Sequence, residues 1–194
     1  YERAIDAIGE RMPVAEPPFP ELAEAIARHG LPLAPFRDLL SAFRQDVTVV
    51  RYPHYVDLLD YCRRSANPVG ALLLHLYKAA TPANLRASDA VCTALQLVNF
   101  WQDVALDWAR GRVYIPHEDM DHFGVSESDI DGANCSGAWR ALMTFEVDRA
   151  RRLLESGRPL TRALPWRCGL ELSGMLARTA ELLTRWCGAD ISLV

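Results

Sequence analysis

The chain has 194 residues, of which 50% are hydrophobic, so it can bury the core of one domain and is not a disordered protein. Its 21 basic and 25 acidic side chains give a sequence pI near 5.7, which excludes the strongly basic character of a nucleic-acid-binding protein. Five cysteines without a C-x-x-C pair argue against a disulfide framework or zinc site, and no apolar run is long enough to span a membrane. We therefore expect a cytoplasmic protein with a small-molecule partner.

Helical periodicity dominates the chain, and no stretch alternates apolar and polar residues over the length of a strand. Glycine and proline mark the expected helix ends. The predicted helices, in chain order, cover residues 1–12, 21–29, 35–47, 53–64, 69–77, a segment from 81 to 110, 139–155 and 165–187. Residues 117–137 form a polar segment that we predict to be a mobile loop. These elements predict one all-α domain over residues 1–194.

One predicted helix carries a polar stripe. In QLVNFWQDVALD, the residues Gln96, Asn99, Asp103 and Asp107 are separated by three, four and four positions. At about 100° per residue, their side chains fall within an arc of roughly 80°. Two carboxylates one turn apart, with an amide one turn earlier, offer the oxygen ligands that Mg²⁺ prefers and leave positions for water and substrate phosphate. Because the other faces are apolar, we expect a buried acidic face that supports diphosphate chemistry.

The alternative interpretation of this stripe is the ordinary solvent face of an amphipathic helix. Such faces usually include Lys, Arg or Glu, and residues 90–109 contain none of these. The composition around the stripe therefore favours a functional face.

A second segment, YCRRSANPVG, combines a tyrosine, two arginines and a helix break at Asn67-Pro68. A break frees backbone groups to face a cavity, which Tyr61 is placed to enter. On spacing alone, an ordinary buried tyrosine is the favoured alternative. On the same basis, Arg63 and Arg64 are predicted to be a solvated charge pair.

The segments YCRRSANPVG, LQLVNFWQDVALD and GRVYIP, in this order and separation, resemble the squalene and phytoene synthase family, most closely its bacterial hydroxysqualene synthases of hopanoid biosynthesis. The resemblance extends from about Tyr1 to at least Trp186. It implies the all-α isoprenoid synthase fold, in which two facing aspartate-rich helices hold Mg²⁺ against the substrate diphosphate in a central cavity. It also implies a transferase or lyase that acts on presqualene or farnesyl diphosphate.

The resemblance further implies roles for the residues of the stripe, which corresponds to the second aspartate-rich helix. Asp103 and Asp107 would be Mg²⁺ ligands, and Asn99 would complete that metal site. Gln96 would line the cavity beside it.

Other site residues follow from the same resemblance. Tyr61 matches a tyrosine associated with steering the carbocation and the departing diphosphate. Arg112 and Tyr114 match residues that follow the motif, and Arg112 would hold diphosphate by charge-assisted hydrogen bonds. Phe100 lies about 40° from the stripe and is expected to line the cavity, whereas Trp101 points roughly 140° away.

Two positions depart from the family pattern. Squalene and phytoene synthases usually carry an arginine directly before the first aspartate of this motif and a glutamate directly before the last, where this chain has Gln102 and Leu106. Both changes remove charge and match the hydroxysqualene branch, in which presqualene diphosphate is the substrate and water captures the final cation. Head-to-head condensation by a presqualene diphosphate, squalene or phytoene synthase is the alternative activity.

The first aspartate-rich motif is expected before Pro53, but no D-x-x-x-D occurs there, and Asp38 and Asp46 do not have that spacing. We expect that motif to precede Tyr1, so that the chain lacks half of the metal site and the isolated polypeptide turns over little. A non-catalytic interaction or assembly protein of the same fold is the third possibility. The sequence gives no prediction of oligomeric state. A hydrophobic product would favour peripheral attachment to the inner membrane.

Overall fold

The computed structural model describes residues 1–188, with side chains through residue 186. Its elements within this part of the chain are twelve α-helices and one β-bridge between Arg51 and Val113. In chain order the helices are α1 (Glu2–Gly9), α2 (Phe19–His29), α3 (Ala34–Gln45), α4 (Tyr55–Ser65), α5 (Asn67–Leu76), α6 (Pro82–Gln102), α7 (Val104–Ala109), α8 (His117–Phe123), α9 (Glu127–Asp131), α10 (Gly137–Gly157), α11 (Leu160–Ala163) and α12 (Trp166–Gly188). The all-α fold class is therefore confirmed.

Local sequence signals explain where the long helices begin and end. Gly30 has a φ of 63° and ends α2 in the left-handed conformation that glycine adopts without steric cost. Thr81 begins α6, because its hydroxyl accepts a hydrogen bond from the backbone N–H of Asn84 at 3.2 Å. Ser136 begins α10 in the same way, with the N–H of Trp139 as donor.

The prediction of a mobile loop over residues 117–137 was wrong, since this segment contains α8 and α9. Gly124, with a φ of 67°, ends α8. Ser126 and Asp129 then form a capping box, in which the Ser126 N–H donates to the Asp129 carboxylate at 2.9 Å. The polar residues that suggested a loop are the residues that satisfy the backbone at two short helix ends.

The predicted stripe helix is interrupted. Asp103 separates α6 from α7 with a φ of −98° and a ψ of 15°, outside ordinary helical geometry. Its N–H still donates to Asn99 O at 3.0 Å, and the Asp107 N–H donates to Asp103 O at 2.7 Å. Backbone hydrogen bonds between residues four positions apart therefore continue on both sides of the distortion at Asp103.

Helix α6 lies at the centre of the packing and contacts α4, α5, α10 and α11. Two glycines allow close approach. A Cβ on Gly157 of α10 would lie 2.4 Å from Val91 Cγ2, and a Cβ on Gly70 of α5 would lie 2.3 Å from Ser88 Oγ. Around α6, fully buried side chains such as Leu97 and Trp139 form the hydrophobic core that stabilises the fold. Among the described residues, no helix has the combination of length and apolarity that crossing a membrane requires.

Candidate active site

Four aromatic rings from separate parts of the chain meet beside α6. Phe100 stacks on Tyr114 with ring centroids 3.9 Å apart and an interplanar angle of 8°. The Tyr61 ring lies 6.2 Å from each of them, and Tyr52 lies 5.7 Å from both tyrosines. All four side chains are buried. The structure thus brings the predicted residues Tyr61, Phe100 and Tyr114 into one aromatic cluster and adds Tyr52, which the sequence analysis missed.

Backbone pairing places Tyr114 in this cluster. The segment after α7 runs alongside the segment before α4, with Val113 N–H donating to Val50 O at 3.0 Å and His117 N–H donating to Tyr52 O at 2.9 Å. The β-bridge between Arg51 and Val113 lies between these bonds. The extended R-V-Y-I-P piece is therefore fixed against the start of α4, the helix that carries Tyr61.

Arg112 is bound within the protein at one edge of the cluster. Its Nη1 donates to the Tyr114 hydroxyl at 3.0 Å, and its Nη2 donates to the backbone oxygen of Asp46 at 2.8 Å. The same guanidinium lies 3.8 Å from the Asp46 carboxylate. These contacts hold the guanidinium in one orientation, with its side chain 29% exposed.

Asp46, which follows α3, is the residue of this site that the sequence analysis set aside. Tyr61 hydrogen-bonds its carboxylate, and burial together with this bond raises the pKa of Tyr61 above its usual range. The phenol therefore remains a neutral hydrogen-bond donor. No local motif marks Asp46, because its partner Arg112 lies 66 positions away.

The polar stripe is more exposed than expected. Asn99 and Asp103 are exposed, and only Gln96 and Asp107 are partly buried, so the expectation of a buried acidic face was wrong. Among the residues that the structure describes, no helix or loop packs over Asn99 and Asp103, so both side chains face solvent. Asp103, the first of the two carboxylates, is therefore accessible to a ligand from solvent.

Asp107 connects the stripe to the aromatic cluster. Its side chain is 13% exposed, and Arg110 lies 3.9 Å from it. Burial, followed by the charge of Asp103, raises the pKa of Asp107, while Arg110 and Arg112 oppose this shift. Asp107 also lines a small cavity of about 10 Å³ with Phe100, Arg112 and Tyr114. Asp107 and two rings of the aromatic cluster, those of Phe100 and Tyr114, therefore line the same cavity.

The donor set suits Mg²⁺. Asn99, Asp103 and Asp107 offer one amide and two carboxylate oxygens, and the repulsion between the two carboxylates would be relieved by a cation. Within the described residues, no group of three or more His, Cys, Asp or Glu side chains could enclose a metal ion. Mg²⁺ commonly binds through one or two carboxylates and fills its other positions with water and substrate phosphate. The residues present thus fit a metal that is shared with a phosphorylated ligand.

An exposed apolar strip lies on α5, the helix that packs on α6 through Gly70. Val69, Leu73 and Leu76 recur at helical spacing and are 49%, 46% and 41% exposed. A contiguous apolar face of this kind is a common ligand or interaction surface. It begins one turn after α4, which carries Tyr61.

The two arginines after Tyr61 differ from each other. Arg63 is exposed and pairs with Asp60, as expected for a solvated charge. Arg64 is only 14% exposed, and its guanidinium donates to Ser41 Oγ at 2.7 Å and to the side-chain oxygen of Gln45. The prediction of a solvated pair was therefore wrong for Arg64, which links α4 to α3.

Comparison with known proteins places these features in a family. The family model for squalene/phytoene synthase matches residues 1–186. A hydroxysqualene synthase of Rhodopseudomonas palustris is 37% identical over 167 residues, covering 85% of this chain and 56% of that protein. The hydroxysqualene synthase of Zymomonas mobilis is 35% identical over 177 residues, covering 88% and 58%.

Solved structures agree with the sequence matches. The crystal structure of squalene synthase HpnC from Alicyclobacillus acidocaldarius superposes with a TM-score of 0.89 at 36% identity, covering 95% of this chain and 70% of that one. A dehydrosqualene synthase gives a TM-score of 0.87 at 26% identity, covering 100% and 68%. The helices thus form the isoprenoid synthase type of fold, and the chain spans little more than half the length of the two hydroxysqualene synthases that it matches. The chain belongs to the squalene/phytoene synthase family.

Proposed function

We propose that the protein is an enzyme of squalene and hopanoid biosynthesis that converts presqualene diphosphate to hydroxysqualene. The observation that carries this proposal is the position of the acidic pair. Asp103 is exposed to solvent, and Asp107, one turn later, lines a cavity with the buried rings of Phe100 and Tyr114. Diphosphate departure and cation protection need these two environments side by side. The similarity to two hydroxysqualene synthases supports the same substrate class.

The proposed reaction replaces the C–O bond to diphosphate with a C–O bond to water, and the cyclopropane ring opens as the cation rearranges. The C–O bond of presqualene diphosphate breaks, and both of its electrons leave with the diphosphate. The cyclopropylcarbinyl cation rearranges, and a water oxygen then bonds to the resulting carbocation and loses a proton. The products are hydroxysqualene, diphosphate and one proton, so the reaction requires no oxidant or reductant.

The aromatic cluster would control the cation. Ring faces of Tyr61, Phe100 and Tyr114 favour nearby positive charge through their quadrupoles, and their burial excludes bulk water. Since the pKa of Tyr61 is raised, its phenol stays protonated and cannot act as a base at neutral pH. We expect Tyr61 to orient the departing diphosphate or the cation as a neutral group.

Asn99, Asp103 and Asp107 would hold Mg²⁺, which when bound supplies positive charge against the charge that develops on the leaving diphosphate. Arg112 would add a fixed guanidinium at the edge of the same cavity. Gln96 would line the cavity beside the metal site. The exposed face of α5, with Val69, Leu73 and Leu76, offers an apolar surface for the prenyl chains.

Product analysis tests this function. The protein at its natural length, with Mg²⁺, is given presqualene diphosphate, farnesyl diphosphate or geranylgeranyl diphosphate, and the lipid products are identified by mass spectrometry. We expect hydroxysqualene from presqualene diphosphate. Conversion of two prenyl diphosphates to presqualene diphosphate, squalene or phytoene would establish the condensing alternative, which similarity to phytoene synthases at 34% and 35% identity favours. No product from any substrate would favour an interaction protein.

We also propose a cytoplasmic protein with peripheral contact to the inner membrane, where its lipid substrate and product dissolve. The start of α12 supports this contact, because Trp166 and Leu170 are 77% and 68% exposed beside the basic residues Arg162 and Arg167. Exposed aromatic and aliphatic side chains flanked by arginines suit an anionic bilayer surface. Cosedimentation with vesicles containing anionic lipid should fall in Trp166→Ser, and an unchanged bound fraction would remove this contact.

A further inference from the structure

A fully buried carboxyl lies away from the proposed reaction site. Glu146 of α10 has no exposed surface, and its Oε2 has no hydrogen-bond partner among the described residues. Asp119 of α8, which is itself 5% exposed, binds the same guanidinium, because Arg149 Nη1 donates to an oxygen of each carboxyl. Two ionised carboxylates are only acceptors and repel each other, whereas a protonated carboxyl can donate to a neighbouring carboxylate. The burial and the shared guanidinium therefore favour one proton on this pair.

Among the residues that the structure describes, Arg149 is the cation that contacts both carboxyls. Arg149 donates from both Nη atoms to the two oxygens of Asp119, whereas its distance to Glu146 Oε1 is 3.4 Å. Its guanidinium lies between two rings, 4.1 Å from Tyr55 and 4.0 Å from Phe145. The Arg149 guanidinium thus mainly neutralises Asp119. A negative charge on the buried Glu146 carboxyl would be poorly compensated.

The cluster joins three elements around the proposed site. Tyr55 begins α4, which carries Tyr61. Asp119 lies in α8, five positions after Tyr114, and Arg149 lies in α10, which packs on α6. Next to it, Glu118 accepts a hydrogen bond from the Tyr55 N–H at 2.7 Å. The Arg149 cluster thus contacts the helix that carries Tyr61, the helix that follows Tyr114 and, through α10, the helix that carries Phe100.

We propose that Glu146 is a protonated positioning residue, whose carboxyl proton is donated to Asp119 and completes a buried cluster with Arg149 that holds Tyr61 and Tyr114 beside the acidic stripe. The consequence for turnover rests on the proposed function.

The pKa values agree with this arrangement. Burial raises the pKa of Glu146 to about 8, with the hydrogen bond to Asp119 adding to the shift and Arg149 opposing it. The folded value exceeds the usual 4.5, so the folded state binds the proton more tightly than the unfolded state. The resulting stabilisation is fully present below about pH 4.5 and is lost as the pH rises to about 8.

Other titratable groups face the cluster. Tyr55 has its pKa raised to about 12 by burial and stays neutral over this range. The exposed His54 pairs with Glu118 at 2.9 Å, which raises the pKa of His54, so it also loses a proton as the pH rises. The experiment therefore needs variants that separate Glu146 from His54.

Urea unfolding between pH 5 and 8.5 tests the proton linkage. We compare the unsubstituted protein at its natural length with Glu146→Gln, whose amide donates to Asp119 without titrating, with Glu155→Gln, an exposed control on the same helix, and with His54→Asn. We expect the unfolding equilibrium constant to rise by up to about tenfold per pH unit below pH 8. This rise should persist in Glu155→Gln and His54→Asn and should largely disappear in Glu146→Gln. A pH dependence in Glu146→Gln parallel to that of the unsubstituted protein would overturn the proposal.

Two readouts test positioning beyond stability. Near-UV circular dichroism of the folded protein should weaken above pH 8 as the aromatic cluster loosens, and Glu146→Gln should keep its signal. Turnover of presqualene diphosphate should show the same loss and the same rescue, with the change in kcat rather than KM. Loss of the signal to an equal extent in Glu146→Gln would contradict positioning. If the unsubstituted protein proves inactive, the proposed function fails, while the dichroism and unfolding results still decide the role of Glu146.

Discussion

This protein contains two pairs of neighbouring carboxyl groups, and the pairs differ in how the repulsion between their negative charges is relieved. Asp103 and Asp107 lie one turn apart on the stripe, and Asp119 and Glu146 meet between α8 and α10. In each pair, burial and the neighbouring carboxyl raise the pKa of one member. The second pair is enclosed and is compensated by Arg149, whereas the first pair is open to solvent at Asp103. A pair enclosed with Arg149 holds helices of the fold together, while an open pair can accept an external cation.

The largest expected effect follows from removing the open carboxylate. Asp103→Ala should lower diphosphate release from presqualene diphosphate by at least about 100-fold, because charge stabilisation of the leaving group is lost. Stability should change little, since Asp103 is exposed. Gln102→Ala is the matched control, one exposed position away, and should keep its activity. Equal rates in the two variants would mean that the stripe does not bind the leaving group.

Removing Arg149, the cation beside Asp119 and Glu146, should lower the free energy of unfolding. Arg149→Met leaves Asp119 without its two donors, and a buried ion pair broken in this way costs about 3 to 5 kcal/mol. Urea unfolding at pH 7 measures this loss. Arg152→Met, on the exposed side of the same helix, should cost less than about 0.5 kcal/mol. Similar midpoints for the two variants would contradict a structural role for the enclosed pair.

Tyr61 lies between these two extremes, because it is buried and also faces the proposed reaction site. Tyr61→Phe removes the donor to Asp46 and should lower the free energy of unfolding by about 1 to 2 kcal/mol. Turnover should fall further than this stability loss explains, with by-products that reflect altered control of the cation. Activity and product distribution like those of the unsubstituted protein would reduce Tyr61 to an ordinary buried tyrosine.

The smallest effect concerns the exposed edge of the enclosed pair. The pKa of His54 is raised by its hydrogen bond to Glu118, so this pair stabilises the folded state below about pH 6.5 and the contribution disappears as the pH rises through the folded value. His54→Asn keeps a side chain suited to the start of α4 and removes the titration. Its midpoint should approach that of the unsubstituted protein as the pH rises from 5.5 to 8. A constant difference between the two would rule out this linkage.

Local signals were sufficient for much of the fold. Proline and glycine positions predicted most helix ends, and Gly30 takes the left-handed conformation expected of it. The error at residues 117–137 arose partly because Ser, Asp and Gly favour both loops and helix caps. In addition, α8 and α9 are short and contain few apolar residues, so they show little hydrophobic periodicity. The interruption at Asp103 has no marker in the sequence either, since the apolar pattern continues through it.

Residue types and spacing identified the stripe, and the family resemblance identified Tyr61, Arg112 and Tyr114, but neither predicted the surroundings of these residues. The resemblance pointed to Tyr61 and Tyr114 and the helix geometry to Phe100, and the fold brings these three residues together. Asp46 could not be found, because its contacts come from residues distant in the chain. Exposure of Asp103 was also mispredicted, because periodicity describes which side chains share a face and not which face is covered.

Binding of inorganic diphosphate tests the central claim most directly. Isothermal titration of the protein at its natural length, with and without Mg²⁺, is compared for the unsubstituted form, Asp103→Asn and Gln102→Ala. We expect Mg²⁺-dependent binding in the unsubstituted form and in Gln102→Ala, and at least about tenfold weaker binding in Asp103→Asn because the isosteric amide lacks the ligand charge. Equal affinity in all three, or binding that does not depend on Mg²⁺, would contradict the assignment of Asn99, Asp103 and Asp107 as the Mg²⁺ site.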